Sequence, residues 1–167
     1  MSEEESGASM QEVRGGKYDV LVVGAGIGGI YSAYRLSQLG LSFRVLEAGG
    51  GVGGTWYWNR YPGARSDSDS TVYSFSDRFS EDLLQNWEWS ERYPSQAEIL
   101  RYLQWVADKL DLRRDIRFGT RVSSAVYDDA TNRWTVTVET GERLVKGPYV
   151  AETFQVSVEE DYLVIDH

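Results

Sequence analysis

The sequence predicts an α/β domain that opens with a parallel strand–helix–strand unit, continues through a long helix and ends in an antiparallel β meander. Three observations predict it. An apolar run, Asp19 to Val23, passes through a glycine-rich turn into a helix-period stretch, Ile30 to Leu39. A second helix-period segment starts near Ser95, and alternating apolar and polar residues follow from Ile116 onward.

Residues 18–47, YDVLVVGAGIGGIYSAYRLSQLGLSFRVLE, form the opening unit. Gly24, Gly26 and Gly29 have the spacing Gly-x-Gly-x-x-Gly between strand and helix, the context a dinucleotide-binding turn requires. Gly24 permits the tight turn out of the strand, Gly26 lets the backbone approach a pyrophosphate, and Gly29 lets the helix lie close to the sheet. Open N–H groups and the positive end of the helix dipole then face the phosphates. Gly40 supplies the left-handed residue that ends the helix. Residues 42–48 form the second strand, and Glu47 stands 21 positions after Gly26. A carboxylate there accepts from ribose hydroxyls and repels a 2′-phosphate, so FAD or NAD is expected in preference to NADP.

Further along, Asp77 to Trp89 reads as loop and short helix over the nucleotide-binding core. Ser95 and Glu98 have the form of a capping box. Ile99, Leu100, Leu103, Val106, Ala107 and Leu110 recur at spacings of three and four, the buried face of a core helix. Residues 116–127 and 133–140 alternate in polarity around the turn-prone DDATN and are expected to pair antiparallel. Residues 147–167 read as a further pair of short strands around Glu159, Glu160 and Asp161. The expected organisation is a disordered leader over 1–16, a partial cofactor-binding domain over 17–146 and an atypical β tail over 147–167.

Composition narrows the function classes. Lys and Arg number 17 against 26 Asp and Glu, a formal net charge of −9, which argues against nucleic acid or an anionic membrane surface as partner. The absence of cysteine removes disulfides, thiolate nucleophiles and Cys-ligated metal sites, and gives no sign of an oxidising compartment. A cytoplasmic location is expected, with no metal site. The apolar runs are far too short for a membrane span. His167, the sole histidine, has no evident partner for acid–base work.

Residues 49–65, GGGVGGTWYWNRYPGAR, place a second glycine cluster beside the ribose acid, which suits a chain lying along an extended FAD. The stretch GVGGTWYWNRYPGARSDSDS resembles the corresponding segment of the Baeyer–Villiger monooxygenases, flavin- and NADPH-dependent enzymes that insert one oxygen atom beside a ketone. The similarity runs over about residues 17–145. It implies that Gly24, Gly26 and Gly29 hold the FAD pyrophosphate and that Glu47 binds the adenosine ribose. It also implies that Gly54, Thr55 and Trp56 line the flavin, that Asp67 sits near the isoalloxazine ring, and that Tyr73 and Val122 contact the flavin and, through backbone, the adenine. Asp67 is the one residue to which it gives a catalytic, flavin-side positioning role. Ser66 stands where the family usually has Cys.

Without the resemblance, Trp56, Tyr57, Trp58 and Tyr61 read as packing aromatics, and Asp67 reads as one of a solvated or capping group with Ser66, Ser68, Asp69 and Ser70. Arg60 reads as a surface charge, and Trp87 and Trp89 as structural.

The family also carries a second glycine-rich fold for NADPH, a signature built on Phe, Gly, His, Trp and Pro, and an Arg that stabilises the peroxyflavin; none of these is found in the sequence. Three functions follow. The first is the N-terminal FAD-binding portion of a ketone-oxidising monooxygenase, inactive as an isolated chain. The second is a non-catalytic FAD-binding half-module that needs a complementary chain. The third is a NAD-binding dehydrogenase fragment, which Glu47 permits and the second glycine cluster disfavours.

Overall fold

The computed structural model describes residues 18–75, 86–130, 133–140, 150–159 and 162–164. The leader, residues 76–85 and the acidic turn pair Glu160 and Asp161 lie outside them.

The elements are β1 (Val20–Val23), α1 (Ile27–Gln38), β2 (Phe43–Leu46), α2 (Thr55–Trp58), α3 (Gln96–Lys109), a 3-10 turn (Arg113–Asp115), β3 (Ile116–Arg117), β4 (Thr120–Asp128), β5 (Arg133–Thr140), β6 (Val150–Glu159) and β7 (Tyr162–Val164). They build two sheets. One is parallel in the order β1-β2-β3, and the other is an antiparallel meander in the order β4-β5-β6-β7.

Alternation along β1 and β2 sends side chains to opposite faces of the parallel sheet. Val20, Val22, Phe43 and Val45 pack on α1 and α3, against Ile30, Ala33, Ile99, Leu103 and Val106. Leu21 and Leu46 turn the other way, onto Val122, Trp134, Val136 and Val138 of the meander. Both faces are therefore covered, which is why these short strands read as continuous apolar runs.

Helix α1 starts one turn earlier than its periodicity indicates, at Ile27 rather than Ile30, because Ile27, Gly28 and Gly29 are already helical after Gly26. Its end is as expected. Gly40 has φ +70°, with Gly40 N–H donating to Ser37 O at 3.2 Å and Leu41 N–H to Leu36 O at 3.2 Å, the paired bonds of a Schellman motif. Helix α3 buries Ile99, Tyr102, Leu103, Val106 and Ala107, each large apolar side chain contributing about 1.5–3 kcal/mol. Only half of the capping box forms. Ser95 Oγ accepts from Glu98 N–H at 3.4 Å, but the buried Glu98 carboxylate turns to the preceding loop, accepting from Ser90 N–H and Ser90 Oγ at 2.8 Å each.

The stretch 116–127 is two strands, not one. Ile116 and Arg117 pair parallel with Val45 and Leu46; the chain then bends at Gly119, φ +64°, and β4 joins the meander. The polarity pattern continues through the bend, so the sequence does not mark it. Strands β4 and β5 pair antiparallel, with a bulge between Val122 and Ser124. The terminal pair also forms, β6 lying beside β5 and Glu159 opposite Tyr162. Trp87 and Trp89 surround Tyr102, with ring centroids 5.3 and 4.8 Å from it.

Candidate functional site

Three loops meet where β1 and β2 end: the glycine turn 24–26, the loop 47–54, and the start of β4. Gly24 N–H donates to Leu46 O at 2.8 Å, Gly53 N–H to Ala25 O at 2.9 Å, Gly119 N–H to Gly49 O at 3.0 Å and Thr120 N–H to Glu47 O at 2.9 Å. At their centre lies Glu47, only 5% exposed. Its Oε2 accepts from Ala25 N–H and its Oε1 from Gly49 N–H, both at 2.6 Å. Such charge-assisted bonds offset the cost of burying a carboxylate. Each oxygen keeps a further lone pair, so hydroxyl donors can still be accepted.

The glycines are explained by what a side chain would strike. A Cβ at Gly29 would stand 1.9 Å from the Gly24 carbonyl oxygen, while Gly24 itself turns at φ +92°. Gly26 faces Gly54: a Cβ on Gly54 would come within 2.8 Å of Gly26 Cα. Beside this cradle, α1 begins without a side-chain cap and with no acid in its first turn. Open N–H groups at an uncapped helix start, beside a glycine-rich loop, form a place for an anion such as a pyrophosphate. The donor set and the carboxylate together fit an adenine dinucleotide.

The residues expected beside a flavin are divided. Trp56 Nε1 donates to Tyr73 Oη at 2.7 Å, the rings meeting edge to face with centroids 5.7 Å apart. Gln96 at the start of α3 donates its side-chain amide to the Trp56 carbonyl, fixing α2 to α3. Thr55 is exposed, and its hydroxyl accepts from Asn59 Nδ2 at 2.9 Å. Asp67 is exposed and receives a long bond of 3.4 Å from Ser68 Oγ. Its neighbours are more firmly held. Ser66 is buried, its N–H on Pro94 O at 3.0 Å and its Oγ accepting from Ser68 N–H at 3.0 Å. Asp69 pairs with Arg92 at 2.7 Å, and that bond, with bonds from Thr71, holds its carboxyl below the ordinary value. Arg65 is tied to Glu91 at 2.5 Å and to Tyr93 O at 2.6 Å.

Val122 lies on the edge strand of the meander. Thr120 directs its N–H to Glu47 rather than to β5, and strand alternation turns the backbone groups of Val122 to the same open edge.

Two residues here are not marked by any spacing rule. Tyr57 lays its ring against Gly49 and Gly51 and its Cβ against Gly53, and its hydroxyl accepts from Gly50 N–H at 3.1 Å. Gln96 joins α2 to the core helix α3. The density of glycines just before an aromatic triplet was the available signal for Tyr57. A hollow of about 470 Å³ runs along the outer edge of β1, lined by Val20–Val23, Tyr31, Ser32, Arg35 and Leu36, and contains none of the expected cofactor residues.

The parallel strand–helix–strand unit and its glycine cradle define a dinucleotide-binding domain, and a family profile described as an NAD(P)-binding Rossmann-like domain matches residues 22–85. The chain is 50% identical over 126 residues to the acetone monooxygenase (methyl acetate-forming) of Gordonia sp. strain TY-5, covering 75% of this chain and 23% of that protein. It is 46% identical over 129 residues to a Baeyer–Villiger monooxygenase of Pseudooceanicola batsensis, covering 77% and 23%. Among solved structures, an oxidised steroid monooxygenase bound to NADP shares 56% identity with a TM-score of 0.69, over 81% of this chain and 24% of that one. The open form of cyclohexanone monooxygenase shares 52% with a TM-score of 0.70, over 75% and 24%. Over about three quarters of its own length the chain is thus homologous to flavin monooxygenases of the Baeyer–Villiger type, matching the N-terminal part of these proteins. It spans about a quarter of the length of the relatives it matches.

Proposed function

We propose that this chain is the FAD-binding portion of a flavin- and NADPH-dependent monooxygenase that inserts an oxygen atom beside a ketone, giving an ester or lactone. The observation that carries this is the buried Glu47 carboxylate, fastened to the N–H groups of Ala25 and Gly49 at the end of β2 and directly beside the glycine cradle. Glu47 accepts from the adenosine ribose. Gly24, Gly26 and Gly29, with the start of α1, receive the pyrophosphate. Gly54, Thr55 and the hydrogen-bonded Trp56 and Tyr73 form the wall beside the flavin, Asp67 orients groups at its reactive face, and the backbone of Val122 meets the adenine. FAD, when bound, supplies the electron transfer and oxygen activation, chemistry that belongs to the cofactor.

Turnover draws on more than these residues. The relatives are more than three times as long, and the fold for NADPH and the ketone pocket belong to that further length. The residues of this chain therefore account for FAD uptake, and oxidation of NADPH requires that further length in addition. The setting is the cytoplasm, with no nucleic acid or membrane partner; no helix among the described residues is long and apolar enough to cross a membrane.

Titration of the purified chain with FAD, followed by quenching of flavin fluorescence, tests this. Saturable binding is expected, abolished by Glu47→Arg. Binding of NAD in place of FAD would transfer the chain to the dehydrogenases.

A further inference from the structure

We infer that Tyr57 is a positioning residue for the Glu47 carboxylate, acting through the second glycine loop; the inference rests on the proposed binding of an adenine dinucleotide. The Tyr57 ring serves as the floor of that loop. A Cβ would come within 2.9 Å of the ring at Gly49, within 3.1 Å at Gly51, and within 3.2 Å of the Tyr57 Cβ at Gly53. Only a chain without side chains can lie this close.

The loop is also pinned by hydrogen bonds at each end of the ring. Gly49 N–H holds Glu47 Oε1, and the next N–H, from Gly50, donates to Tyr57 Oη at 3.1 Å. Gly53 N–H donates to Ala25 O, and Ala25 N–H holds Glu47 Oε2. Both carboxylate oxygens are thus bonded to backbone whose position depends on the segment lying on Tyr57. The ring is itself restrained: Trp58 meets it edge on at 5.0 Å, and the Arg60 guanidinium lies over it at 4.9 Å with Nε donating to Tyr57 O at 2.8 Å. Arg60, which reads as a surface charge in the sequence, secures the floor.

The consequence is specific to the ribose. Removing the Tyr57 hydroxyl releases Gly50 and loosens Gly49, so Glu47 loses one of the two bonds that aim it. Tyr57→Phe leaves the ring and its Cβ in place, so the phosphate-binding turn keeps the bond from Gly24 N–H to Leu46 O and the bond from Gly53 N–H to Ala25 O, while Ile30 N–H stays on Gly26 O. Tyr57→Phe should therefore weaken recognition of the ribose hydroxyl more than recognition of the pyrophosphate.

The experiment uses the full chain loaded with FAD and measures displacement by ADP and by 2′-deoxy-ADP. Wild type is expected to prefer ADP by about tenfold, the worth of one hydrogen bond to a charged group. Tyr57→Phe is expected to lower that preference about threefold, with little change in thermal midpoint, and Arg60→Ala to lower it less, in the same direction. In a Glu47→Gln background, Tyr57→Phe is expected to leave the ratio unchanged. An equal loss of affinity for both nucleotides in Tyr57→Phe would reduce Tyr57 to a packing residue and overturn the inference. Should Tyr57→Phe fail to fold, an Arg60→Ala ratio equal to wild type would overturn it instead. If the wild-type chain takes up no FAD, the function itself is wrong; if it does and Tyr57→Phe keeps the full ratio, only the positioning role is lost.

Discussion

Adjacent glycines in the first turn of α1 provide an internally controlled test of the cradle. A Cβ added at Gly28 meets nothing within 4 Å, whereas one at Gly29 would stand 1.9 Å from the Gly24 carbonyl oxygen, a backbone atom that cannot rotate away. To reach a 3.0 Å separation the helix or the turn must retreat by more than 1 Å. That motion disturbs Ile30 and Ala33, which are fully buried against β1 and β2. Overpacking of this kind costs about 1–3 kcal/mol, so Gly29→Ala should lower the thermal midpoint by about 3–10 °C. Gly28→Ala instead gains the helix preference of Ala over Gly, about 0.5–1 kcal/mol, and should raise the midpoint by about 2 °C. Urea unfolding followed by circular dichroism gives both free energies. Equal stability for the two variants would refute the steric account of the turn.

Further expectations follow from the same geometry. Asp111 is left-handed at φ 51°, with its N–H on Asp108 O and Leu112 N–H on Ala107 O, so Asp111→Gly should stabilise by about 0.5–1 kcal/mol, read from urea midpoints. Glu98→Ala strips the Ser90 N–H and hydroxyl of their buried acceptor and should cost about 1–3 kcal/mol by the same measurement. Burial raises the Tyr102 hydroxyl above its ordinary 10.0, although bonds from Phe75 N–H and Ser74 oppose the shift. A folded value above the unfolded one means that the stability this group contributes is full below pH 10 and is lost as pH rises through the folded value. A Tyr102→Phe variant should show a flatter fall in thermal midpoint above pH 10 than wild type, and an identical fall would contradict the assignment.

Much of the architecture is written locally. The Gly24, Gly26, Gly29 spacing and the position of Glu47 each follow from a steric or electrostatic need of a single turn, and those needs operate at short range in the chain. Glu98 illustrates what is not written so. Its spacing from Ser95 satisfies a capping box, but a serine eight residues upstream competes for the carboxylate and wins, because there it satisfies two donors while buried. The bend at Gly119 was hidden because the alternation of polarity runs on through it. Tyr57 was hidden for a related reason: an aromatic next to glycines reads as core packing until the ring is seen lying on Gly49 and Gly51. Trp56 and Tyr73, 17 residues apart, are brought together by a hydrogen bond that no periodicity encodes.

The central claim is that the backbone around Gly26 and the Glu47 carboxylate jointly hold the adenosine diphosphate half of FAD. Amide chemical shifts of the 15N-labelled chain during an FAD titration address it directly. The largest changes are expected at Gly24 to Gly29 and at Glu47 to Gly50, with little change along the outer edge of β1. Shifts confined to Val20–Val23 and Tyr31–Leu36, the groove along the outer edge of β1, would contradict it.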